Sequence, residues 1–294
     1  DSGSMLIDLG WLLVDFGPML DRFCVDVGRF LITCWYADKA RSYSFLSKEI
    51  SAASKIYLNK NIHSRAAKVV QTRDDRYREG IQQNFPNKEI LEVAPIMHEL
   101  RFVKSKNEID LMQKACDITE KGLRRILPII KPGIMEYEIE AELMHEFLSN
   151  RSTGFAYQPI IGSGADSCVL HYIENNKKCN SGEVILLDFG AEYANYASDL
   201  TRCIPVNGKF TKRQKEVYAA VLHVKNEATK LLKPGITLKD YHVQVGLLME
   251  EQLVKLNLIS TNDIKKQDSS WPAYKKYFMH GTSHYIGLDT HDVG

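Results

Sequence analysis

The chain has 294 residues, of which 44% are hydrophobic, 26% are charged and 10% are aromatic. These values are typical of a globular protein with room for about two domains. The 38 basic and 37 acidic residues leave a net charge of +1, so charge gives no support for binding to nucleic acid or to a membrane. The six cysteines show neither a CxxC pair nor a regular spacing, which argues against a zinc knuckle or a disulfide framework and favours the reducing cytoplasm.

Residues 1–97 contain no chemical motif. The apolar stretch from Met5 to Leu20 includes Asp8 and Asp15 and lacks a basic flank, so it predicts neither a signal peptide nor a membrane-spanning helix. The region mixes aromatic-rich apolar runs with polar and basic stretches. We interpret it as a separate, smaller α/β domain that precedes a second domain at residues 98–294.

The second domain begins with a helical pattern. Its apolar positions, spaced by three and four, predict a long amphipathic helix that ends near Pro128. These positions are Ile109, Met112, Cys116, Thr119, Leu123 and Ile126.

An internal repeat follows this helix. The tetrapeptide that begins at Lys131 (Lys-Pro-Gly-Ile) recurs at Lys233, and the same offset superposes apolar positions in the segment after each copy. In each copy the Pro-Gly turn ends one helix, and Thr237 with Asp240 resembles a capping box that starts the next. The repeat predicts two similar halves with an active site between them, and two unrelated helical hairpins are the alternative. The order of helices and strands predicts an α+β fold.

Two aspartates in a predicted β-hairpin form the first candidate site. Asp188 ends a buried strand, and Asp199 starts the returning strand after a turn at Ala194-Asn195. A lone strand-end aspartate is most simply satisfied by the backbone amides of a turn. Two carboxylates on adjacent strands repel each other, however, and a divalent metal ion is the usual remedy.

Histidines form the second candidate site. His280, His284 and His291 lie within one glycine-rich segment, and this density favours a functional site over a structural one. The spacing of His280 and His284 resembles a zinc-binding HExxH helix, but Gly281 stands where that chemistry needs glutamate, so we expect a loop that runs into a strand. His171 follows a segment with two glycines but no Walker lysine or GxGxxG, so nucleotide binding is not supported. It fits a cleft residue and a core residue equally well.

Together these motifs resemble the pita-bread metallopeptidases, most closely the Xaa-Pro aminopeptidases (aminopeptidase P). The resemblance runs from about Leu100 to Gly294 and rests on these motifs: GSG..SCVLHY, LLDFGAEY, SDLTR, the two KPG turns and FMHGTSHYIGLDTHDVG. It implies the pita-bread (creatinase/aminopeptidase) α+β fold with a pseudo-twofold internal repeat. It also implies a metallo-exopeptidase, a hydrolase that removes the N-terminal residue from peptides with proline in second position.

The resemblance further implies the roles of individual residues. Three match the ligand positions of a site for two divalent metal ions: Asp188, Asp199 and His284. The ligand types suit manganese, with cobalt or zinc as feasible substitutes. Three match catalytic positions that orient substrate, relay protons and stabilise the tetrahedral intermediate: His171, His280 and His291. In such a site a metal-bridging hydroxide attacks the scissile carbonyl.

Departures from the family pattern lead to two more expectations. The family's two glutamate ligands lie downstream of the segment that ends here at Gly294, so we expect the C-terminal end of the catalytic domain to be missing. We therefore expect the chain as written to bind metal poorly and to have low activity. Residues 1–97 are short for the family's leading domain, which we expect to be incomplete.

Several alternatives stay open. A prolidase, which cleaves only Xaa-Pro dipeptides, is the nearest enzymatic rival, whereas methionine aminopeptidases need no preceding domain. A metal-free binding protein of the same fold is the non-enzymatic alternative, although retention of Asp188, Asp199 and His284 argues against it. We expect a peptide substrate that begins Xaa-Pro, a homo-oligomer in the cytoplasm, and no nucleic-acid or membrane partner.

Overall fold

The computed structural model describes residues 31–32, 50–60 and 71–293; the apolar stretch from Met5 to Leu20 lies outside them. The chain divides into two compact units, residues 1–100 and residues 101–294. The predicted domain boundary at residues 97 and 98 lies three residues before this division and stays a prediction. In the described part of the chain, no helix combines the length and apolar character needed to cross a membrane.

The first unit has the predicted α/β character. Its elements are β1 (Leu31–Ile32), β2 (Lys55–Leu58), α1 (Arg73–Asn84), β3 (Glu89–Glu92) and α2 (Ala94–Phe102), the last of which extends into the second unit. The strands form a parallel sheet in the order β1-β2-β3. Because parallel neighbours need a crossover connection, α1 lies between β2 and β3 in sequence. The buried core of this unit contains Ile50, Ile56, Leu58 and Ile81.

The second unit combines helices with antiparallel sheets. Its helices are α3 (Lys106–Ile126), α4 (Glu136–Ser149), α5 (Lys212–Leu231), α6 (Leu238–Lys255) and α7 (Thr261–Lys265). Its strands are β4 (Gly154–Phe155), β5 (Ile160–Ser163), β6 (Val184–Phe189), β7 (Ala191–Tyr193), β8 (Tyr196–Ala197) and β9 (Leu200–Pro205). They form two antiparallel sheets, β4-β7-β8 and β5-β6-β9. Short 3₁₀ helices cover Gly164–Cys168 and Ala273–Lys276.

The long helix α3 forms as predicted, but of the predicted positions only Thr119 and Ile126 are fully buried. Ile109 is 54% exposed and Cys116 is exposed. The buried positions are Ala115, Ile118, Thr119, Gly122 and Ile126. A Cβ at Gly122 would lie 2.7 Å from the ring of Phe147 on α4. The small residue thus lets α4 approach closely, and a pattern of large apolar residues alone could not reveal this.

The two KPG turns have the same backbone conformation, and each one directly precedes a helix. Gly133 and Gly235 have φ angles of 100° and 95°, a left-handed region in which a Cβ is disfavoured. Three residues after each glycine the next helix, α4 or α6, begins. Its first turn is capped at equivalent positions, since Glu138 accepts a hydrogen bond from the N–H of Met135 and Thr237 accepts one from the N–H of Asp240.

Each helix pair has its own core. The pair α3–α4 packs with the β5-β6-β9 sheet around Ile118, Leu143, Phe147, Leu187 and Phe189. The pair α5–α6 packs around Val224, Tyr241, Val245, Met249 and Leu253. Burial of large apolar side chains stabilises a fold by about 1.5–3 kcal/mol each.

The described part of the chain ends within the histidine segment's loop. After α6 it forms α7, a 3₁₀ helix and then a loop to Val293, so the strand predicted to follow this loop stays a prediction. The N–H of Asp292 donates to the carbonyl of Tyr285, and the N–H of Ala197 donates to the carbonyl of Gly287. The loop therefore closes on itself and contacts β8 at one point, and no described strand runs beside it.

Candidate active site

The strand register places Asp188 on one strand and Asp199 directly before the adjacent strand. Asp188 lies in β6, the central strand of its sheet, opposite Thr201 on β9. Asp199 directly precedes β9, whose first residue Leu200 pairs with Phe189. The chain reverses between β7 and β8 at the predicted turn, Ala194-Asn195, where both residues have positive φ angles of 51° and 71°.

A buried hydroxyl pair joins this reversal to α3. The Oγ of Ser198 and the Oγ1 of Thr119 lie 2.6 Å apart, and Ser198 also donates to the carbonyl of Ala191 at 2.8 Å. The N–H of Ala191 donates to Thr119 Oγ1 at 2.8 Å. Because Ser198 precedes Asp199, this network fixes the backbone that presents the Asp199 carboxylate.

Tyr157 lies between the two carboxylates. Its hydroxyl is 2.6 Å from Oδ1 of Asp188 and 3.0 Å from Oδ1 of Asp199. A hydroxyl carries a single proton, so it donates fully to one carboxylate at a time. Tyr157 therefore cannot satisfy both carboxylates at once, and the two negative charges lie close together. Burial raises the pKa of Tyr157, and its hydrogen bond to Asp188 and the two carboxylate charges raise it further.

Asp188 shows the effect of this crowding. Burial raises the pKa of its carboxyl group, and the charge of Asp199 adds to that rise, while hydrogen bonds from Tyr157 and Thr201 and the nearby His171 oppose it. Two neighbouring carboxylates repel each other when both are ionised, and such pairs are a common feature of catalytic and metal-binding sites.

His284 faces the same pair from the histidine loop. Its Nδ1 lies 3.0 Å from the carbonyl oxygen of Tyr285, and its Nε2 lies 3.1 Å from Oδ2 of Asp199. The carbonyl and the carboxylate both only accept, so each contact requires a proton on the ring nitrogen that makes it. A backbone carbonyl on Nδ1 is the usual way in which a protein directs Nε2 toward a metal ion. The rings of His284 and His291 lie 4.1 Å apart, centroid to centroid.

These residues line one cavity of about 650 Å³. Five of the six predicted site residues belong to its lining: His171, Asp188, Asp199, His284 and His291. The sixth, His280, is exposed and is absent from that lining, although Gly281 belongs to it. Its predicted catalytic role is untested by this arrangement and stays a prediction.

His171 is held in an unusual backbone conformation. Its φ angle is 53°, in the left-handed region that histidine adopts more readily than most residues. The next residue is anchored, because the hydroxyl of Tyr172 donates at 2.7 Å to the carboxylate of Glu136. Glu136 is fully buried and also accepts hydrogen bonds from the N–H groups of Ser163 and Lys177.

The predicted metal ligands lie close together but do not form a finished ligand set. Among the described residues, no three or more His, Cys, Asp or Glu side chains are arranged to hold a metal ion. The Tyr157 hydroxyl lies between the carboxylates, and Nε2 of His284 is bonded to Asp199. The chemistry of the donors nevertheless fits a divalent ion, since two carboxylates with excess charge and an oriented imidazole are typical ligands.

Tyr157 is the site residue that the sequence did not reveal. It lies in the connection between β4 and β5, three residues before Ile160, which pairs with Asp188. No sequence motif or spacing identifies a tyrosine that hydrogen-bonds to predicted metal ligands. Only the register of β5 against β6, which the sequence does not specify, could have pointed to it.

Comparison with known proteins assigns the family. Residues 110–294 match the sequence profile of metallopeptidase family M24. The chain belongs to metallopeptidase family M24. Divalent metal ions are the cofactors of the M24 family, and the predicted α+β pita-bread fold is confirmed.

Individual M24 relatives add detail. The chain is 40% identical over 208 residues to the Xaa-Pro aminopeptidase of Haemophilus influenzae, an alignment that covers 70% of this chain and 47% of that protein. It is 34% identical over 264 residues to the Xaa-Pro aminopeptidase of Escherichia coli, covering 87% of this chain and 59% of the relative. The chain thus spans about half the length of the curated relatives it matches.

Solved structures agree with this assignment. Zinc-substituted E. coli aminopeptidase P in complex with product superposes with a TM-score of 0.75 at 30% identity, covering 87% of this chain and 58% of that one. Pseudomonas aeruginosa aminopeptidase PepP gives a TM-score of 0.74 at 28% identity, with coverages of 87% and 57%.

Proposed function

We propose that this M24 chain belongs to an Xaa-Pro aminopeptidase, a metal-dependent exopeptidase that removes the N-terminal residue from peptides with proline in second position. The observation that carries the proposal is the carboxylate pair of Asp188 and Asp199, which lines the same cavity as His284. The names of the relatives at 40% and 34% identity support the substrate class.

Asp188, Asp199 and His284 would hold the divalent ions, with manganese preferred and cobalt or zinc as substitutes. When bound, such ions lower the pKa of a water molecule and polarise the scissile carbonyl. The raised pKa of Asp188 supports this assignment, because burial and the charge of Asp199 disfavour its ionised form and a cation would compensate that charge.

The remaining cavity residues act on the substrate and its protons. We assign hydrogen bonding to the substrate carbonyl and proton transfer to the leaving proline nitrogen to the imidazoles of His171 and His291, which line the cavity beside the carboxylates. Tyr157 orients the Asp188 carboxylate through its hydroxyl. We keep the predicted catalytic role of His280 in this proposal, although the exposed position of His280 does not support that role.

The size of the cavity suits a short peptide. A volume of about 650 Å³ lies within the usual range for small-molecule sites, about 300–1,000 Å³. The apolar side chains of Ile160 and Ile173 line it together with the polar residues, so an aliphatic ring such as that of proline has surface to contact.

A comparison of three peptides tests the proposal. The protein, expressed from its complete coding sequence and loaded with Mn²⁺, should release alanine from Ala-Pro-Ala faster than from the dipeptide Ala-Pro. Ala-Ala-Ala should react at least about tenfold more slowly. Faster cleavage of Ala-Pro would indicate a prolidase instead. Absence of turnover with both proline peptides would refute the proposed function.

The compartment and assembly are part of the same proposal. We place the protein in the cytoplasm as a homo-oligomer, with a peptide substrate as its partner. The four cysteines in the described residues (Cys116, Cys168, Cys179 and Cys203) are free thiols, which supports a reducing compartment. The homo-oligomer follows from the resemblance, and its test is the mass of the native protein in solution.

A further inference from the structure

A buried charge cluster lies behind the histidine loop. The side chain of Asp292 is 1% exposed. Its Oδ1 lies 2.5 Å from Nη2 of Arg101, and its Oδ2 lies 3.0 Å from Nζ of Lys104. Arg101 lies in the last turn of α2, within the second unit, and Lys104 lies in the connection to α3. The loop is thus fixed to a distant part of the chain by two charged contacts.

The Asp292 carboxylate stays ionised despite its burial. Burial acts to raise its pKa, but the hydrogen bonds from the N–H of Val293 and from Lys104, with the charges of Arg101 and Lys104, outweigh it and lower the pKa. A buried charge that loses its partners is costly to the fold, so all three side chains depend on one another.

Further contacts make the loop a closed unit. The N–H of Asp292 donates to the carbonyl of Tyr285 at 3.0 Å, and the N–H of Ala197 donates to the carbonyl of Gly287 at 2.8 Å. The ring of Tyr285 packs against Phe102, with 5.7 Å between centroids. His284 directly precedes the first residue of this closed segment, and His291 directly precedes Asp292.

We infer that Asp292, held by Arg101 and Lys104, is a positioning residue that sets the relative placement of the His284 and His291 imidazoles in the cavity. The cluster itself does not line the cavity, so it acts through the two histidines. Its importance for catalysis rests on the proposed function, whereas its effect on the two rings does not.

The chain offers a matched control and a second way to disturb the cluster. Asp289 also binds Nη2 of Arg101, at 2.6 Å, but its side chain is 65% exposed. A Cβ at Gly287 would overlap the Asp292 carboxylate and lie 2.9 Å from Cε of Lys104. Gly287→Ala therefore displaces the cluster while every charge remains, and Asp289→Asn removes an exposed charge from the same arginine.

The test compares Asp292→Asn, Gly287→Ala, Arg101→Lys and Asp289→Asn with the unaltered protein. The first readout is the ¹⁵N NMR spectrum of the histidine rings, recorded without metal. We expect Asp292→Asn and Gly287→Ala to shift the ring signals of both His284 and His291, Arg101→Lys to shift them less, and Asp289→Asn to leave them in place. If Asp292→Asn does not fold, Gly287→Ala and Arg101→Lys carry the test.

The second readout is turnover of Ala-Pro-Ala by the metal-loaded protein expressed from its complete coding sequence. Misplaced catalytic groups should lower kcat by about a hundredfold in Asp292→Asn and Gly287→Ala with KM within about twofold, whereas Asp289→Asn should stay within about twofold of the unaltered kcat. Folded variants whose ring signals and kcat are unchanged would overturn the inference, as would a loss of stability with both ring signals in place. If the unaltered protein shows no turnover, the proposed function fails, and the ring signals still decide the positioning role.

Discussion

The hydroxyl of Tyr172 donates a 2.7 Å hydrogen bond to the carboxylate of Glu136, which is fully buried. Glu136 begins α4, and Tyr172 follows the cavity residue His171. The contact therefore links the first residue of a core helix to the backbone of the candidate active site. It anchors Tyr172 to the fully buried Glu136, next to His171, which has a left-handed backbone conformation.

Substitution of Glu136 by Gln should destabilise the protein. The two carboxylate oxygens accept from Ser163, Tyr172 and Lys177, and a glutamine amide nitrogen would face at least one of these donors. An unsatisfied buried donor costs about 1–3 kcal/mol, so we expect a loss of that size in the free energy of unfolding, measured by urea denaturation. Glu138→Gln, an exposed position on the same helix, should change it by less than about 0.5 kcal/mol. Equal effects of the two substitutions would contradict this account.

Asp188→Asn should change the pH dependence of stability in metal-free protein. The pKa of Asp188 is raised from 3.8, so between that value and the raised one the folded state holds a proton that the unfolded chain has lost. Its contribution to stability therefore falls as pH rises through this window. Asparagine does not titrate in this range. The stability of Asp188→Asn relative to wild type, given by the difference in free energy of unfolding, should therefore be higher at about pH 7 than at about pH 4.

Urea denaturation of chelator-treated protein at both pH values measures this difference. Asp117→Asn, which alters an exposed carboxylate bonded to Gln113, serves as the control for loss of a carboxylate outside the cavity. A stability difference for Asp188→Asn that is independent of pH would show that Asp188 ionises normally.

In the metal-loaded enzyme the same substitution should abolish peptide turnover with little loss of stability, and retained turnover would refute the assigned ligand role.

Tyr157→Phe should destabilise the metal-free protein more than the loaded one. It removes the hydroxyl that donates to Asp188, and hydrogen bonds to charged groups contribute about 1.5–3 kcal/mol. A bound cation would stabilise the carboxylates in its place, so the rise in melting temperature on adding Mn²⁺ should be larger for Tyr157→Phe than for wild type. Tyr137→Phe, at a position that is 53% exposed, should behave as wild type. An equal or smaller rise for Tyr157→Phe would argue that Tyr157 does not act on the carboxylate pair.

Site residues whose positions depend on nearby sequence features could be predicted. A strand, a turn and a returning strand together determine the register of a hairpin, so the local pattern alone places Asp188 and Asp199 on adjacent strands. The KPG turns could be recognised because a left-handed glycine and a following cap are local features. The family motifs then assigned His284 and His291 to the same site.

Contacts between distant segments could not be predicted. Tyr157 bonds to a residue 31 positions away, and Arg101 bonds to one 191 positions away; neither contact follows from local periodicity. The buried face of α3 was predicted only in part, because Thr119 and Ile126 are buried as expected but the small residues Ala115 and Gly122 are buried as well. Burial depends on the neighbouring element, which a single helical pattern does not specify.

The central claim is that Asp188 and Asp199 form the divalent-ion site of an Xaa-Pro exopeptidase. The most direct measurement is the rate of alanine release from Ala-Pro-Ala in wild type and in Asp199→Asn. Both proteins are expressed from the complete coding sequence, treated with a chelator and then resupplied with Mn²⁺. We predict that the chelator abolishes the wild-type rate, that Mn²⁺ restores it, and that Asp199→Asn stays inactive at the same Mn²⁺ concentration. Full activity in chelator-treated wild type, or wild-type activity in Asp199→Asn, would contradict the claim.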